Sequence, residues 1–227
     1  NDAHKTIGDP TMRKRDIALL IGSGLIIVFS VFGFIKVSTM PDYGFTTILP
    51  GYLHDPVQDT LATEKIIEFT QGKYDFKLKP LAKYSVSAYL VSKRHYRGGF
   101  MNWLSPWDYA LAWGTIPEQL EHIEFDQIVR FCLYKFKSGA PVDEEYLSRH
   151  MANTHLIPSN NNIRKALRFA RKGDVVKLDG YLVNVEARQD GVMKSTWHSS
   201  TSREDKGNGA CEILYVENLQ IGDRIYR

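Results

Sequence analysis

Cysteine is scarce in this sequence, which contains two among 227 residues, Cys132 and Cys211. Neither a Cys-x-x-Cys nor a His-x-x-x-His pair occurs, so the ligand spacings of structural zinc sites are missing. No Gly-Lys-Ser/Thr follows the glycines at 207 and 209, which argues against a phosphate-binding loop. Internal repeats and low-complexity tracts are also missing. The sequence therefore predicts no catalytic residue, no cofactor and no metal, and it favours a role other than catalysis.

Excess charge is also nearly missing from most of the chain. It has 29 basic and 26 acidic residues, of which five basic and three acidic ones precede residue 37. The remaining 24 basic and 23 acidic residues leave residues 37–227 close to neutral. Nucleic-acid binding usually needs a pronounced basic surface. We therefore expect no nucleic-acid partner.

One long apolar run is present, with no charged residue between Ile17 and Ile35. As a helix it would be roughly 28 Å long, enough to cross the hydrocarbon core of a bilayer. The sequence thus predicts a tail over residues 1–16 and a transmembrane helix over 17–36. A cleaved signal peptide is the alternative, but its apolar region is usually shorter and no clean small-residue cleavage site follows.

The charges that flank this run predict its orientation. Arg13, Lys14 and Arg15 precede it, whereas Lys36 is the one basic residue close behind it. Basic residues are retained on the cytoplasmic side of a membrane. We expect a bacterial inner-membrane protein with a cytoplasmic N-terminus and a periplasmic soluble domain.

Residues 37–60 form the predicted juxtamembrane linker. Prolines at 41, 50 and 56 and glycines at 44 and 51 interrupt regular structure. The segment is nevertheless apolar, which predicts that it lies against its own domain or against a partner. Its residues predicted to contact a partner are Phe45, Ile48, Leu49 and Tyr52.

Residues 61–227 are predicted to form an α+β domain that is mainly β. Alternating residues favour strands over 73–78, 82–94 and 128–136, and three further β segments follow residue 173. Ser105, Pro106 and Gly114 suggest a short helix over 105–114. An amphipathic helix is predicted over 161–172, with Ile163, Leu167 and Ala170 inward and the basic residues Arg164, Lys165, Arg168, Arg171 and Lys172 outward.

The run GDVVKLDGYLV, which begins at Gly173, resembles the opening strand of oligonucleotide- and oligosaccharide-binding (OB) barrels. This resemblance implies an OB-like portion over residues 173–227. Three longer motifs, SPWDYALAWG, NTHLIP and SSTSREDKGNGACE, resemble those of uncharacterised bacterial single-pass membrane proteins. That second resemblance implies a bacterial membrane setting and carries no catalytic residue.

The two cysteines leave alternatives open. In an oxidising compartment Cys132 and Cys211 would form a disulfide that closes a loop of about 80 residues, worth roughly 4 kcal/mol. Two buried free thiols on neighbouring strands are the other interpretation. Cys211, His155 and Asp108 could also form a nucleophile, base and orienting acid, although sequence spacing does not show proximity. Oxygen ligands at 204–209 and Glu212 suit calcium, but Lys206 interrupts them.

Small residues in the predicted transmembrane helix suggest where a partner binds. Ala18 and Gly22 share a helix face, and Gly33 extends the stripe three turns further on. Small residues let helix backbones approach closely in lipid. We therefore predict an accessory or scaffolding subunit of a membrane complex, with integral-membrane subunits and the lipid bilayer as partners. The alternatives are a membrane-anchored barrel that binds a ligand or oligosaccharide, and a periplasmic enzyme.

Overall fold

A computed structural model of the chain describes residues 40–204 and 210–227. Over these residues the protein is mainly β, which confirms that part of the prediction. Residues 41–227 form one compact unit. The strands are β1 (Gly44–Phe45), β2 (Val57–Thr60), β3 (Ile67–Gln71), β4 (Tyr74–His95), β5 (Trp107–Ala112), β6 (Ile123–Ile128), β7 (Phe131–Phe136), β8 (Met151–Pro158), β9 (Val175–Gln189), β10 (Val192–Trp197), β11 (Glu212–Ile221) and β12 (Arg224–Tyr226).

The helices are short. They are α1 (Phe100–Leu104), α2 (Glu144–Arg149), α3 (Asn161–Ala166) and a 3₁₀ helix (Ile116–His122). Within residues 40–204 and 210–227, no helix is long and apolar enough to cross a membrane. The predicted transmembrane helix over 17–36, with Ala18, Gly22 and Gly33, lies outside the described residues, as does the tail over 1–16.

Five strands close into a barrel. Strand β4 pairs with β5, β5 with β8, β8 with β11, β11 with β9, and β9 returns to β4. The β8–β11 pair is parallel, and the other four pairs are antiparallel. Three of the five strands precede residue 173, so the barrel also uses sequence well before the predicted 173–227 portion.

Alternate residues of each barrel strand face the interior, as the period of two in a strand requires. Interior positions carry large apolar side chains, such as Tyr84 and Leu90 of β4, Tyr109 of β5 and Leu214 of β11. Side chains one position away face outward and are covered by α1, β10 and the β6–β7 hairpin. The barrel strands therefore have two buried faces over much of their length.

Strand β4 joins two segments that the sequence analysis predicted as separate strands. Pro80 lies within it, and the β4–β9 register shifts between Pro80 and Ala82. Proline is tolerated in a sheet at such a bulge, because no ladder hydrogen bond is lost there. The result is one 22-residue strand that contacts β2, β3, β5 and β9.

The helix predicted over 105–114 is wrong, because Trp107–Ala112 forms strand β5. Ser105 and Pro106 follow the end of α1 and do not begin a new helix. All residues of β5 after Trp107 are buried, so the strand lacks the polar alternation that would have identified it. The prediction of one strand over residues 128–136 is also wrong. Ile128 ends β6, Val129 and Arg130 form a turn, and β7 begins at Phe131.

The amphipathic helix predicted over 161–172 is confirmed in its first half and ends at Ala166. The Asn160 side chain accepts a hydrogen bond from Ile163 N at 2.9 Å and begins the helix. Ile163, Leu167 and Ala170 are buried in the barrel core, as predicted. Arg164 was predicted to point outward and does not: its guanidinium lies 4.5 Å from the ring of Trp103.

Candidate functional site

The three motifs singled out in the sequence meet on adjacent strands. SPWDYALAWG contributes β5, NTHLIP lies within β8, and the end of SSTSREDKGNGACE begins β11. Asp108 stands opposite His155 in the β5–β8 register, and Glu212 stands opposite Thr154 in the β8–β11 register. Residues from distant parts of the chain are thus placed side by side by the barrel.

A buried ion pair is centred on Asp108. Its side chain is fully buried, and its Oδ1 lies 2.6 Å from Nη1 of Arg130 and 2.9 Å from Nδ1 of His155. The His155 contact does not meet the geometry of a hydrogen bond. Asp108 Oδ2 has no partner among the described residues. A buried carboxylate needs an opposite charge, and Arg130 supplies it.

Arg130 reaches Asp108 from the tip of the β6–β7 hairpin. Val129 and Arg130 form its two-residue turn, with φ values of 47° and 69°. The Arg130 guanidinium also donates to Asn102 Oδ1 at 2.7 Å and to Ser105 O at 2.8 Å. It lies 4.0 Å from the ring centroid of Tyr96. These contacts fix the hairpin tip against the barrel wall.

A cleft opens above this ion pair on the outer face of the barrel, and we call it the outer-face cleft. Its volume is about 650 Å³. The cleft is lined by residues of the barrel, of the β6–β7 hairpin, of α1 and of the end of β10. The barrel contributes His155 and Cys211, and the hairpin contributes Arg130 and Phe131. The other lining residues are Met101 and Asn102 of α1, Ser195, Thr196 and Trp197 of β10, and His198 after it. The Trp197 ring lies 4.5 Å from the His155 ring, centroid to centroid.

A second ionic cluster lies toward the barrel interior. Glu212 is buried and pairs with Arg203, whose guanidinium also contacts the hydroxyl of Tyr84. Burial raises the pKa of Glu212, and the charge of Arg203 opposes that shift. Arg203 lies 5.2 Å from the ring centroid of Trp113. Glu212 is therefore committed to a structural ion pair, which argues against its use as a calcium ligand.

Both cysteines are free thiols in the structure. They line a neighbouring cleft of about 620 Å³ between β7 and β8. Burial raises the pKa of Cys132 to about 12 and that of Cys211 to about 11, and the nearby Cys211 contributes to the shift of Cys132. The Cys132–Cys211 disulfide stays a prediction.

The proposed nucleophile, base and acid do come to one place, since Cys211 and His155 line the outer-face cleft and His155 contacts Asp108. The contact recorded for the Cys211 sulfur, however, is Asn153 Nδ2 at 3.7 Å, and no His155 contact to it is found among the described residues. A thiol nucleophile needs a lowered pKa, whereas burial raises that of Cys211. The geometry therefore does not favour thiolate catalysis.

In the predicted partner-binding segment, the backbone is hydrogen-bonded to the rest of the domain, whereas most of the apolar side chains are exposed to solvent. Phe45, Ile48, Leu49 and Leu53 are 63–78% exposed, and we call these four residues the docking strip. Tyr52 differs, because it is half-buried and its ring lies 6.3 Å from that of Tyr89. The backbone is held by the pairing of β1 with β12, and by hydrogen bonds from Thr46 N to Asp223 O, from Gly114 N to Tyr52 O and from Gln220 Nε2 to Ile48 O.

Sequence reasoning missed Arg130 and Arg203, the two arginines that neutralise the buried carboxylates. Arg130 lies outside the quoted motifs and 22 residues from its partner, whereas Arg203 and Glu212 both lie in SSTSREDKGNGACE, whose letters alone do not show that the two side chains pair. No group of three or more histidine, cysteine or acidic residues within 40–204 and 210–227 is arranged to hold a metal ion. Residues 205–209 of the predicted calcium loop lie outside the described residues.

No protein-family model matches the chain. Comparison with curated proteins and with solved structures also gives no significant match.

Proposed function

We propose that this chain is an accessory or scaffolding subunit of a larger bacterial membrane complex. In this proposal residues 17–36 anchor it in the inner membrane and the β domain lies in the periplasm. Integral-membrane subunits are its partners, and the docking strip is the contact surface outside the bilayer. The observation that carries the proposal is the exposure of that strip on an ordered backbone.

The docking strip is more than a set of exposed apolar residues. Single exposed apolar side chains are common, but adjacent ones are typical of interaction surfaces. Ile48 and Leu49 are 78% and 65% exposed, and Phe45 and Leu53 extend the patch on either side. Because the backbone of this segment is already hydrogen-bonded to the domain, a partner would lose little conformational entropy by binding it.

We also propose that the domain is an OB-type barrel. Numbering the five barrel strands by chain order gives the ring 1-2-3-5-4-1, in which only the contact between strands 3 and 5 is parallel. A helix between strands 3 and 4, here α3, fits the same architecture. Such a barrel suits an adaptor, because its loops and flanking strands vary while the closed sheet keeps them in place.

A co-purification experiment tests the subunit proposal. The full-length tagged chain is extracted in mild detergent, and the stoichiometry of retained membrane proteins is measured for the wild type, for Ile48→Lys with Leu49→Lys, and for Val192→Lys with Met193→Lys. Val192 and Met193 are 59% and 40% exposed on the β9–β10 hairpin, so their double variant adds the same two charges elsewhere. We expect only the variant at positions 48 and 49 to lose its partner. Equal partner stoichiometry in all three proteins would contradict the proposal.

A further inference from the structure

We propose that the membrane partner docks on this domain through an acidic segment that contacts three exposed cations beside the docking strip. These cations are Arg168, Arg171 and Lys172, which we call the basic rim. The inference rests on the proposed function, because it states the chemistry of the partner surface that meets the strip.

Positive charge is concentrated in the short segment that carries the basic rim. Residues 161–173 contain five of the 24 basic residues of 37–227 and no acidic residue. The rest of that range has 19 basic and 23 acidic residues. A local excess of one sign attracts a partner surface of the opposite sign and fixes its orientation.

Two of these five cations already have partners. The Arg164 guanidinium donates to Trp103 O at 2.8 Å and lies over the Trp103 ring, and Lys165 also has an interaction partner. The three rim residues are exposed, and within residues 40–204 and 210–227 their side chains make no hydrogen bond or ion pair. Their charges are therefore available to a partner.

Helix α3 does not need the basic rim to complete its C-terminal end. Cations often lie there because they satisfy the last carbonyl oxygens of a helix. Here the ammonium of Lys93 already donates to three carbonyl oxygens after α3, at 2.7–3.0 Å. Burial lowers the pKa of nearby His95, and positive neighbours that include Arg168 lower it further. The rim adds to a region that is already positive, and an acidic partner would stabilise this arrangement.

A cleft of about 640 Å³ connects the basic rim to the docking strip. Leu49 of the strip lines it together with Phe169 and with Arg171 of the rim. A partner segment that lies on the strip would therefore continue onto the rim. A flat layer of lipid headgroups would leave this cleft unfilled, whereas an apolar side chain of a protein segment would fill it.

The acidic residues of this cleft do not cancel the charge of the rim. Asp174 and Asp223 line the cleft with Arg171 and Arg224, so that the two signs are equal in number. Asp174 is also engaged within the domain, since its Oδ2 accepts a hydrogen bond from Arg171 N at 2.7 Å. The other two rim residues leave the surface with a net positive charge. Carboxylates of the partner would be the matching groups.

Zero-length crosslinking tests this inference on the full-length chain in membranes. A photoreactive amino acid at position 48 first identifies the partner. A carbodiimide, which joins a lysine amine directly to a carboxylate, is then added, and mass spectrometry locates the bonds. We expect Lys172 to be joined to an aspartate or glutamate of that partner, and exposed Lys137 not to be joined to it.

Charge variants measure what the basic rim contributes. The rim variant carries Arg168→Glu, Arg171→Glu and Lys172→Glu, and its matched control carries Lys135→Glu, Lys137→Glu and Lys194→Glu, all at exposed positions. In mild detergent the rim variant should retain less partner, roughly 3-fold or more below wild type, because repulsion replaces exposed ion pairs. The control should match the wild type. Arg168→Lys with Arg171→Lys keeps the charge and should retain the partner; its release from this variant would overturn the inference.

Failure of this inference can be distinguished from failure of the proposed function. If Ile48→Lys with Leu49→Lys releases the partner but the rim variant retains it, the subunit proposal stands and the acidic contact is wrong. Crosslinks of Lys172 that reach only carboxylates of its own chain would also overturn the inference. Retention of the partner by the variant at positions 48 and 49 would instead contradict the proposed function, and with it the surface on which this inference rests.

Discussion

At the residue scale, Lys93 is a charged group that bridges two elements although burial disfavours its charge. Its ammonium donates to three carbonyl oxygens that follow α3, those of Leu167, Arg168 and Ala170, at 2.7–3.0 Å. It also lies 4.1 Å from the ring centroid of Trp107. Burial lowers its pKa to about 8; Asp174 opposes this shift, and Arg168 adds to it.

This lowered pKa predicts how stability depends on pH. Between pH 8 and the unfolded value of 10.5, the unfolded chain holds the Lys93 proton more tightly than the folded chain does. The contribution of Lys93 to the free energy of unfolding should therefore increase as pH rises through that window, by about 1–2 kcal/mol after allowance for partial exposure. Urea unfolding of the wild type and Lys93→Met at several pH values in this window checks the prediction.

The measured quantity is the difference in stability between the two proteins, in which the titration of other groups cancels. Lys79→Met, at an exposed lysine of the same strand, serves as the control. Parallel stability curves for the wild type and Lys93→Met would show that the folded state does not disfavour the Lys93 charge.

At the element scale, the β6–β7 turn carries a residue that does not suit it. Val129 has a φ of 47°, and β-branched residues are disfavoured in this left-handed region. Its side chain is 74% exposed, so little packing is lost on substitution. Val129→Asn should raise the free energy of unfolding by about 0.5–1 kcal/mol, because asparagine tolerates this conformation. Chemical denaturation measures the change.

Val192→Asn is the matched control, because Val192 is also an exposed valine but lies in a strand and does not have a positive φ. We expect it to be neutral or destabilising, because valine suits strands better than asparagine does. Similar destabilisation in both variants would mean that the turn does not strain Val129.

The closure of the barrel depends on Gly180 in β9. A Cβ atom there would lie 1.9 Å from the backbone oxygen of Tyr215 in β11, a separation that no side chain tolerates. The β9–β11 register also shifts nearby, between Val216 and Asn218. Gly180→Ala should therefore destabilise the protein by about 2 kcal/mol or more. Gly51→Ala, where a Cβ would meet nothing within 4 Å, should be close to neutral in the same thermal unfolding experiment.

These elements also show how far the sequence predicts the fold. The β segments after residue 173 were visible from their β-forming residues and from the turn signals between them, and the apolar face of α3 was visible from its helical period. Strand β5 was missed because its residues after Trp107 are all buried. The β6–β7 hairpin was missed because its turn contains valine and arginine in place of the usual asparagine and glycine. In the outer-face cleft, the Asp108–His155 contact depends on strand pairing, which no single segment encodes.

At the scale of the whole molecule, the two thiols could join the hairpin to the barrel. Cys132 lies on β7, and Cys211 immediately precedes β11. If the domain is in the periplasm, we expect them to form the disulfide, which would stabilise the fold by roughly 4 kcal/mol in the chain-entropy model. Mass spectrometry after alkylation under denaturing, non-reducing conditions should then show no adduct. Two adducts on protein isolated from the membrane would exclude the bond.

In the proposed function, the docking strip links the predicted membrane anchor to the β domain. Its four apolar residues lie between positions 45 and 53, close in sequence to the segment predicted to cross the membrane, and we propose that one partner contacts both. Gly22→Leu would enlarge the intramembrane surface without reducing its hydrophobicity, and so it separates docking from membrane insertion. The lysine variants at positions 48 and 49 should weaken docking without lowering the stability of the barrel, because the substituted side chains are largely exposed.

The most direct measurement of this central claim is site-specific photo-crosslinking in intact cells. A photoreactive amino acid is placed at position 48 in one protein and at position 192 in another, both exposed apolar positions. The proposed function predicts that position 48 crosslinks to one defined integral-membrane protein and that position 192 does not. A chain that crosslinks at neither position, or equally at both, would contradict the claim that the docking strip holds this protein in a membrane complex.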